Sequence, residues 1–208
     1  MSFIKPGSDD PYGFSFNRDP GEMLRAQLRE RRVVALAGTL DDVASMTVAA
    51  ELMGLDADGD EGIVLQVDCT GGSLSAAFTV MDTIDLLGVP VRVRCVGRVD
   101  GVATGVVAVA HRRVATPHSR FRLALPEVSF VGSAATLEVN AAEHQRQMES
   151  FVSRMAAATG RAFEHVEADL ERGRWLDAEE ALTYGLIDEI ERPEPKDSGA
   201  EKPRFGFA

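Results

Sequence analysis

The sequence predicts an α/β fold built on a parallel sheet with covered faces, and three observations lead there. Short β-branched runs at Val33 to Ala37, Ile63 to Val67 and Val91 to Val96 alternate with longer stretches whose apolar residues recur at helical spacing. Strand, helix, strand, helix order demands crossover connections, which lay the helices over the sheet. The chain's 208 residues, 45% of them hydrophobic, suffice for one domain with a sizeable core.

Taken in order, residues 1–18 are rich in Gly, Pro, Asp and Ser without periodicity and read as a mobile N-terminal arm. The domain then runs over 19–192. Asp19-Pro20 supplies an N-cap and a helix-compatible first position, and Met23, Leu24 and Leu28 carry a short helix to about Arg31. After the Val33 to Ala37 strand, Thr39 to Leu55 reads as a helix whose Val43, Met46, Ala50 and Met53 share one face. The Ile63 strand leads into a helix from Ser73 to Leu87, marked by Leu74, Phe78, Met81, Ile84 and Leu87. Gly101 to Ala110 reads as a buried helix of small residues and Phe121 to Leu125 as a strand.

Ala134 to Thr159 is the longest periodic stretch, 26 residues. At 1.5 Å per residue it spans about 39 Å, so it must project from a domain of this size or kink. A short helix follows from Arg161 to Leu170. Asp177 with Glu180 makes a capping-box start for a helix through Tyr184, closed by Gly185, and Ile187 to Ile190 is a last strand. Residues 193–208, with Pro193, Pro195, Pro203 and many charges, read as a disordered C-terminal tail.

Composition excludes several classes of function. Lys and Arg total 22 against 33 Asp and Glu, a net charge of −11, which repels a polyanion and argues against nucleic-acid binding. The longest apolar run, Val102 to Ala110, is interrupted by Thr104 and Gly105 and is far short of the roughly 20 residues that span a bilayer, so no membrane role is expected. Met1 to Asp19 lacks the basic end, apolar centre and cleavage site of a secretion signal, which predicts a cytoplasmic protein. Cys69 and Cys95 close apolar strands and read as buried reduced thiols, and His111, His118, His144 and His165 show no ligand spacing. Neither metal nor cofactor is expected.

The most specific local feature is Val67-Asp68-Cys69-Thr70-Gly71-Gly72-Ser73, a strand entering a glycine pair and then a helix. Gly71 and Gly72 there admit two readings: backbone amides aimed at a developing oxyanion, or a tight strand-to-helix turn with no ligand.

Beside it stand Cys95-Val96-Gly97-Arg98, Pro117-His118-Ser119-Arg120 and Trp175-Leu176-Asp177-Ala178-Glu179-Glu180-Ala181. Leu28 to Arg32, Leu137-Glu138-Val139 and Ala181 to Ile190 fall in the same order. Over roughly residues 22–192 the chain resembles the Clp protease proteolytic subunit family. The resemblance implies the Clp/crotonase-like repeated ββα superhelix, with a protruding handle helix at about 134–159. It also implies paired seven-membered rings enclosing Ser-His-Asp peptidase sites, fed by a Clp AAA+ ATPase.

Carried over residue by residue, the resemblance puts the nucleophilic serine at Gly101, the histidine at Ala124 and the aspartate at Gly173. Glycine offers no oxygen to attack a carbonyl, alanine moves no proton, and a second glycine orients no imidazole. The strand after Pro126, glycine-bearing in active relatives, holds Val128 and Ser129. The implied protein is a catalytically inactive subunit-like member that forms heptameric or tetradecameric rings, alone or with an active Clp proteolytic paralogue, and modulates an ATP-dependent proteolytic complex.

Two enzymatic alternatives stand against it. One is an active serine-type or threonine-dependent peptidase of the same complex, with Thr104 as nucleophile near Asp100, His118 and Ser119. The plainer expectation is that Thr104 bonds back to a helix carbonyl, Asp100 caps the segment at Gly101, and His118 and Ser119 form a turn. The other is a crotonase-like acyl-CoA enzyme using Gly71 and Gly72 as oxyanion donors.

By the resemblance, Glu171 and Arg172 match a charged pair that contacts the opposite ring. On the handle, Leu137, Met148, Phe151 and Met155 are expected half exposed on a monomer, as interface residues. His144 and His165 read as solvated surface. The triplets Tyr12-Gly13-Phe14 and Phe205-Gly206-Phe207 are candidates for docking into a pocket of a neighbouring subunit.

Overall fold

A computed structural model of the chain describes residues 20–126 and 128–192. The proposed arm, the Asp19 cap, the tail and both aromatic triplets lie outside these residues.

The elements run α1 (Pro20–Glu30), β1 (Val33–Leu40), α2 (Asp42–Ala57), β2 (Ile63–Gly72), α3 (Leu74–Leu86), β3 (Val91–Asp100) and α4 (Ala103–Ala108). They continue with β4 (Arg112–Ala115), β5 (Arg120–Leu123), α5 (Ala134–Thr159), α6 (Phe163–Glu171), β6 (Arg174–Leu176), α7 (Ala178–Tyr184) and β7 (Glu189–Ile190). The sheet order is β1-β2-β3-β4-β7, every neighbour parallel, with β5 parallel to β3 and β6 antiparallel to β5. Two short strands, β4 and β6, were not foreseen in the sequence.

The core is one cluster in which the inward residues of β1, β2 and β3 (Leu36, Leu65, Val67, Val93 and Cys95 among them) meet Leu52 of α2, Met81 and Ile84 of α3 and Phe151 of α5. Each large side chain so buried stabilises the fold by roughly 1.5–3 kcal/mol relative to exposure. Both cysteines are buried free thiols. Burial alone pushes the Cys95 thiol far up, and at Cys69 burial outweighs the lowering by backbone hydrogen bonds, so in both the protonated thiol is favoured over the thiolate.

The face of α2 predicted from the sequence points the other way. Val43, Met46, Ala50 and Met53 lie on one side, but that side is exposed, while Ser45, Val48, Ala49, Leu52 and Leu55 face the core. The helix also starts later than expected. Asp41 caps it by accepting from Ala44 N at 2.8 Å, and β1 therefore runs on to Leu40.

The handle α5 forms as predicted, unbroken over 26 residues. Ser133 caps its start and Gly160, at φ +68°, its end. Its N-terminal half is largely solvent-exposed, whereas Phe151, Val152 and Met155 are buried in the chain's own core. This corrects the interface expectation for Phe151 and Met155. A Cβ on Gly105 would lie 2.3 Å from the Phe151 ring, so α4 and α5 approach each other through that glycine, and Phe78 meets the same ring edge-on at 6.5 Å. Met148 is partly buried against the core and Leu137 remains exposed.

Beyond the core, α7 has the predicted capping box between Asp177 and Glu180 and the Gly185 close. Arg113 ties this end together. It donates to Ala158 O and Gly185 O at 3.1 and 2.7 Å and pairs with Asp188. Partial burial pulls the Asp188 carboxyl up, but the Arg113 hydrogen bonds outweigh it and hold the group below its ordinary value.

Candidate active site

The site is set by a change of partner along β3. Its first half, Arg92 to Cys95, pairs with β4, and its end, Arg98 to Asp100, pairs with β5. Between them Gly97 turns the strand at φ +81°, and a Cβ there would lie 2.9 Å from Asp68 Oδ1, the same oxygen that accepts from Arg98 N at 3.0 Å. Strand ends that diverge in this way leave a crevice at the carboxyl edge of a parallel sheet, where α/β folds place ligands.

Gly101 stands at that edge. Its N–H donates to Arg122 O at 2.8 Å, and a Cβ on it would lie 3.5 Å from Ala124 O and 4.0 Å from Gly71 Cα. Antiparallel pairing of Leu123 with Arg174 brings the neighbouring residues Ala124 and Gly173 to the same corner. A Cβ on Gly173 would sit 3.4 Å from Arg122 Nη2. Residues 71, 101, 124 and 173, separated by up to 102 positions in the sequence, thus form one neighbourhood. It contains neither hydroxyl nor imidazole from the three positions singled out. Gly101 and Gly173 lie at φ +52° and +64°, left-handed backbone that glycine adopts without strain.

The remaining candidates are accounted for by other contacts. Thr104 is fully buried and its hydroxyl donates to Gly101 O at 2.7 Å, as expected for a back-bonded helical threonine. Asp100 does not cap the following helix; it accepts from Arg98 Nε at 2.9 Å and pairs with Arg98 Nη2 at 2.6 Å, because the two residues share one face of β3. Ser119 donates to Cys95 O at 2.9 Å within the turn before β5, and His118 is exposed in that turn. His165 is exposed; His144 is half-buried, edge-on to Phe130 at 6.0 Å, rather than freely solvated.

For the glycine pair, the structure supplies a packing reason. A Cβ on Gly72 would lie 2.0 Å from Leu40 O, so this residue is glycine because β1 and β2 backbones meet there. Gly71 lies at φ +110°, and a Cβ on it would meet only Asp100 O, at 4.0 Å. Beside the pair runs a groove of about 570 Å³ between Leu40, Gly72, Ser73, Pro126, Val128 and the handle residue His144. Val128 and Phe130 line it. Glu171 and Arg172 are both exposed at the end of α6.

Sequence reading missed the cation and aromatic cluster at this corner. Arg98 and Arg122 guanidinium carbons lie 5.6 and 5.7 Å from the Trp175 ring centroid. The signal was Arg120-Phe121-Arg122 facing Arg174-Trp175, visible only once β6 is known to pair with β5.

A branched parallel sheet with a helix-covered face, a crevice at the β3–β5 edge and a projecting handle define a chain of the Clp/crotonase-like α/β class. The Clp protease family model matches residues 20–194, which takes in every described element, and the chain belongs to the Clp protease family. That family is a peptidase family whose members assemble into rings working with Clp ATPases. Among the described residues no helix is long and apolar enough to cross a membrane.

Proposed function

We propose that this chain is a catalytically silent Clp proteolytic-subunit-like protein. It assembles into heptameric or tetradecameric rings, alone or mixed with an active paralogue, and modulates a proteolytic complex driven by a Clp AAA+ ATPase. The observation that carries the reading is the convergence of Gly101, Ala124 and Gly173 on one corner of the sheet, where the resemblance calls for serine, histidine and aspartate. Without nucleophile and base, any residual rate would come from backbone donors alone. The Thr104 alternative is disfavoured because its hydroxyl is buried and engaged.

Assembly is supported by what the monomer leaves open. The α2 face of Val43, Met46 and Met53 is apolar and exposed, as are Val131 and Val139 at the N-terminal end of the handle. Large apolar side chains left exposed along a helix face support a protein contact there. The test is native mass spectrometry of the chain alone and after mixing with an active Clp proteolytic subunit. Ring-sized or mixed particles are expected, and a monomer under both conditions would overturn the assembly half of the proposal.

A further inference from the structure

The groove beside the glycine pair carries charge of one sign. Asp41, Asp42 and Glu143 line it, and no Lys or Arg does. Asp41 accepts from Ala44 N, and neither it nor Asp42 forms an ion pair among the described residues. Glu143 alone is paired, at 2.7 Å, with Arg146, which does not line the groove. The N-termini of α2 and α3, capped by Asp41 and Ser73, each contribute about half a positive charge, so with Arg146 about two positive charges face three carboxylates. The field in the groove is negative.

The same groove is apolar in part. Val128 and Phe130 line it and are 48% and 38% exposed. Apolar side chains left in water beside carboxylates suit an occupant that is hydrophobic and cationic together.

Outside the described residues the chain holds one such segment, Lys202-Pro203-Arg204-Phe205-Gly206-Phe207, with two cations, two phenylalanines and no acid. The other aromatic triplet, Tyr12-Gly13-Phe14, follows Asp9 and Asp10 and has the wrong sign. Reach permits the contact. Ile190 pairs with Ala115 and Ala115 with Cys95; Gly101, just past the end of β3, lies against Gly71, and Gly72 lines the groove. Spacings of ~4.8 Å between strands and ~3.3 Å per residue put the groove within about 30 Å of Ile190, and residues 191–201 span up to about 36 Å. We propose that this groove is the docking site of the chain's own residues 202–207, its carboxylates facing Lys202 and Arg204 and its Val128 and Phe130 facing the phenylalanines. The inference concerns binding alone and rests neither on catalytic silence nor on ring formation.

The probe is a fluorescein-labelled, amidated Lys-Pro-Arg-Phe-Gly-Phe peptide, followed by anisotropy on the full-length chain. A tethered segment acts at an effective concentration in the millimolar range and competes with the free peptide. The native chain is therefore expected to bind the probe about tenfold or more weakly than a Phe205→Ala, Phe207→Ala chain, whose groove is vacated. Adding Asp42→Asn and Glu143→Gln to that chain should weaken the probe about fivefold, the worth of two exposed ion pairs, and both side chains are exposed, so the fold tolerates their loss. Added salt should weaken it in the same direction, and a Glu-Pro-Glu-Phe-Gly-Phe probe should not bind. Equal affinity of the native and Phe205→Ala, Phe207→Ala chains, affinity indifferent to the two groove carboxylates, or equal binding of the acidic probe would overturn the proposal. So would tighter binding of a peptide of residues 11–16, which would assign the groove to the other end of the chain.

Discussion

Placing a side chain at position 101 tests the geometry of the empty corner most finely. Gly101 lies at φ +52°, and its N–H bond to Arg122 O at 2.8 Å holds it there. The nearest atoms a Cβ would meet are Ala124 O at 3.5 Å and Gly71 Cα at 4.0 Å, ordinary contacts that add no clash. The cost of Gly101→Ser is therefore the left-handed backbone penalty alone, about 1–2 kcal/mol, and Gly101→Ala should cost the same. The assay is the chemical-unfolding midpoint by circular dichroism at fixed protein concentration. A loss above about 4 kcal/mol would mean the space is not there, and no loss would mean the backbone is not left-handed. The serine variant should also fail to react with a fluorophosphonate probe, because Ala124 supplies no base beside it. Labelling of the single variant would refute the reasoning.

Rebuilding three groups should still fall short. In the triple variant Gly101→Ser, Ala124→His, Gly173→Asp, the new aspartate faces Arg122 Nη2 about one hydrogen bond away and pairs with it instead of orienting the histidine. Peptide hydrolysis is expected at background in the triple variant and above background once Arg122→Met is added; equal rates would contradict this. Arg113→Met removes the donor to Ala158 O, Gly185 O and Asp188 and should cost about 3 kcal/mol at neutral pH. The Asp188 carboxyl is held below its ordinary value in the fold, so its contribution is complete above about pH 4 and is lost as pH falls through the folded value. Glu191, lowered by its hydrogen bond from Arg94, adds a loss of the same sign. The stability gap between the native chain and Arg113→Met should therefore shrink below about pH 4 in acid-unfolding curves, and a constant gap would refute the assignment. Met46→Glu with Met53→Glu, both on the exposed face of α2, should reduce the native mass without changing the far-ultraviolet dichroism; an unchanged mass would remove this face from the assembly surface.

Much of this molecule is legible in its sequence where local chemistry decides the structure. The α7 capping box and its Gly185 close are read directly from Asp177, Glu180 and Gly185, since caps are short-range. The long handle is legible from its periodicity alone. The orientation of α2 is not, because both of its faces are apolar, and Val43, Met46 and Met53 compete with Val48, Leu52 and Leu55 for the core. Only tertiary packing on β1 and α3 decides between them. The strands β4 and β6 escape notice because four and three residues, rich in arginine, carry no period of their own; partners 20 and 75 positions away create β4, and partners 51–55 positions away create β6.

The candidate site divides in the same way. Which residues occupy 101, 124 and 173 is read from the sequence, but their meeting depends on the β3 partner change at Gly97 and on β5–β6 pairing. The burial of Phe151 was hidden because its cause, a glycine on α4 that admits the ring, lies on another helix. The Arg122–Trp175 stack was hidden for the same reason.

The most direct measurement is hydrolysis of a panel of small fluorogenic peptides by the purified, assembled chain, with an active Clp proteolytic subunit as the positive control. The account predicts a rate indistinguishable from buffer across the panel. Turnover that scales with the concentration of this chain, survives further purification and disappears in a Thr104→Ala variant would contradict it.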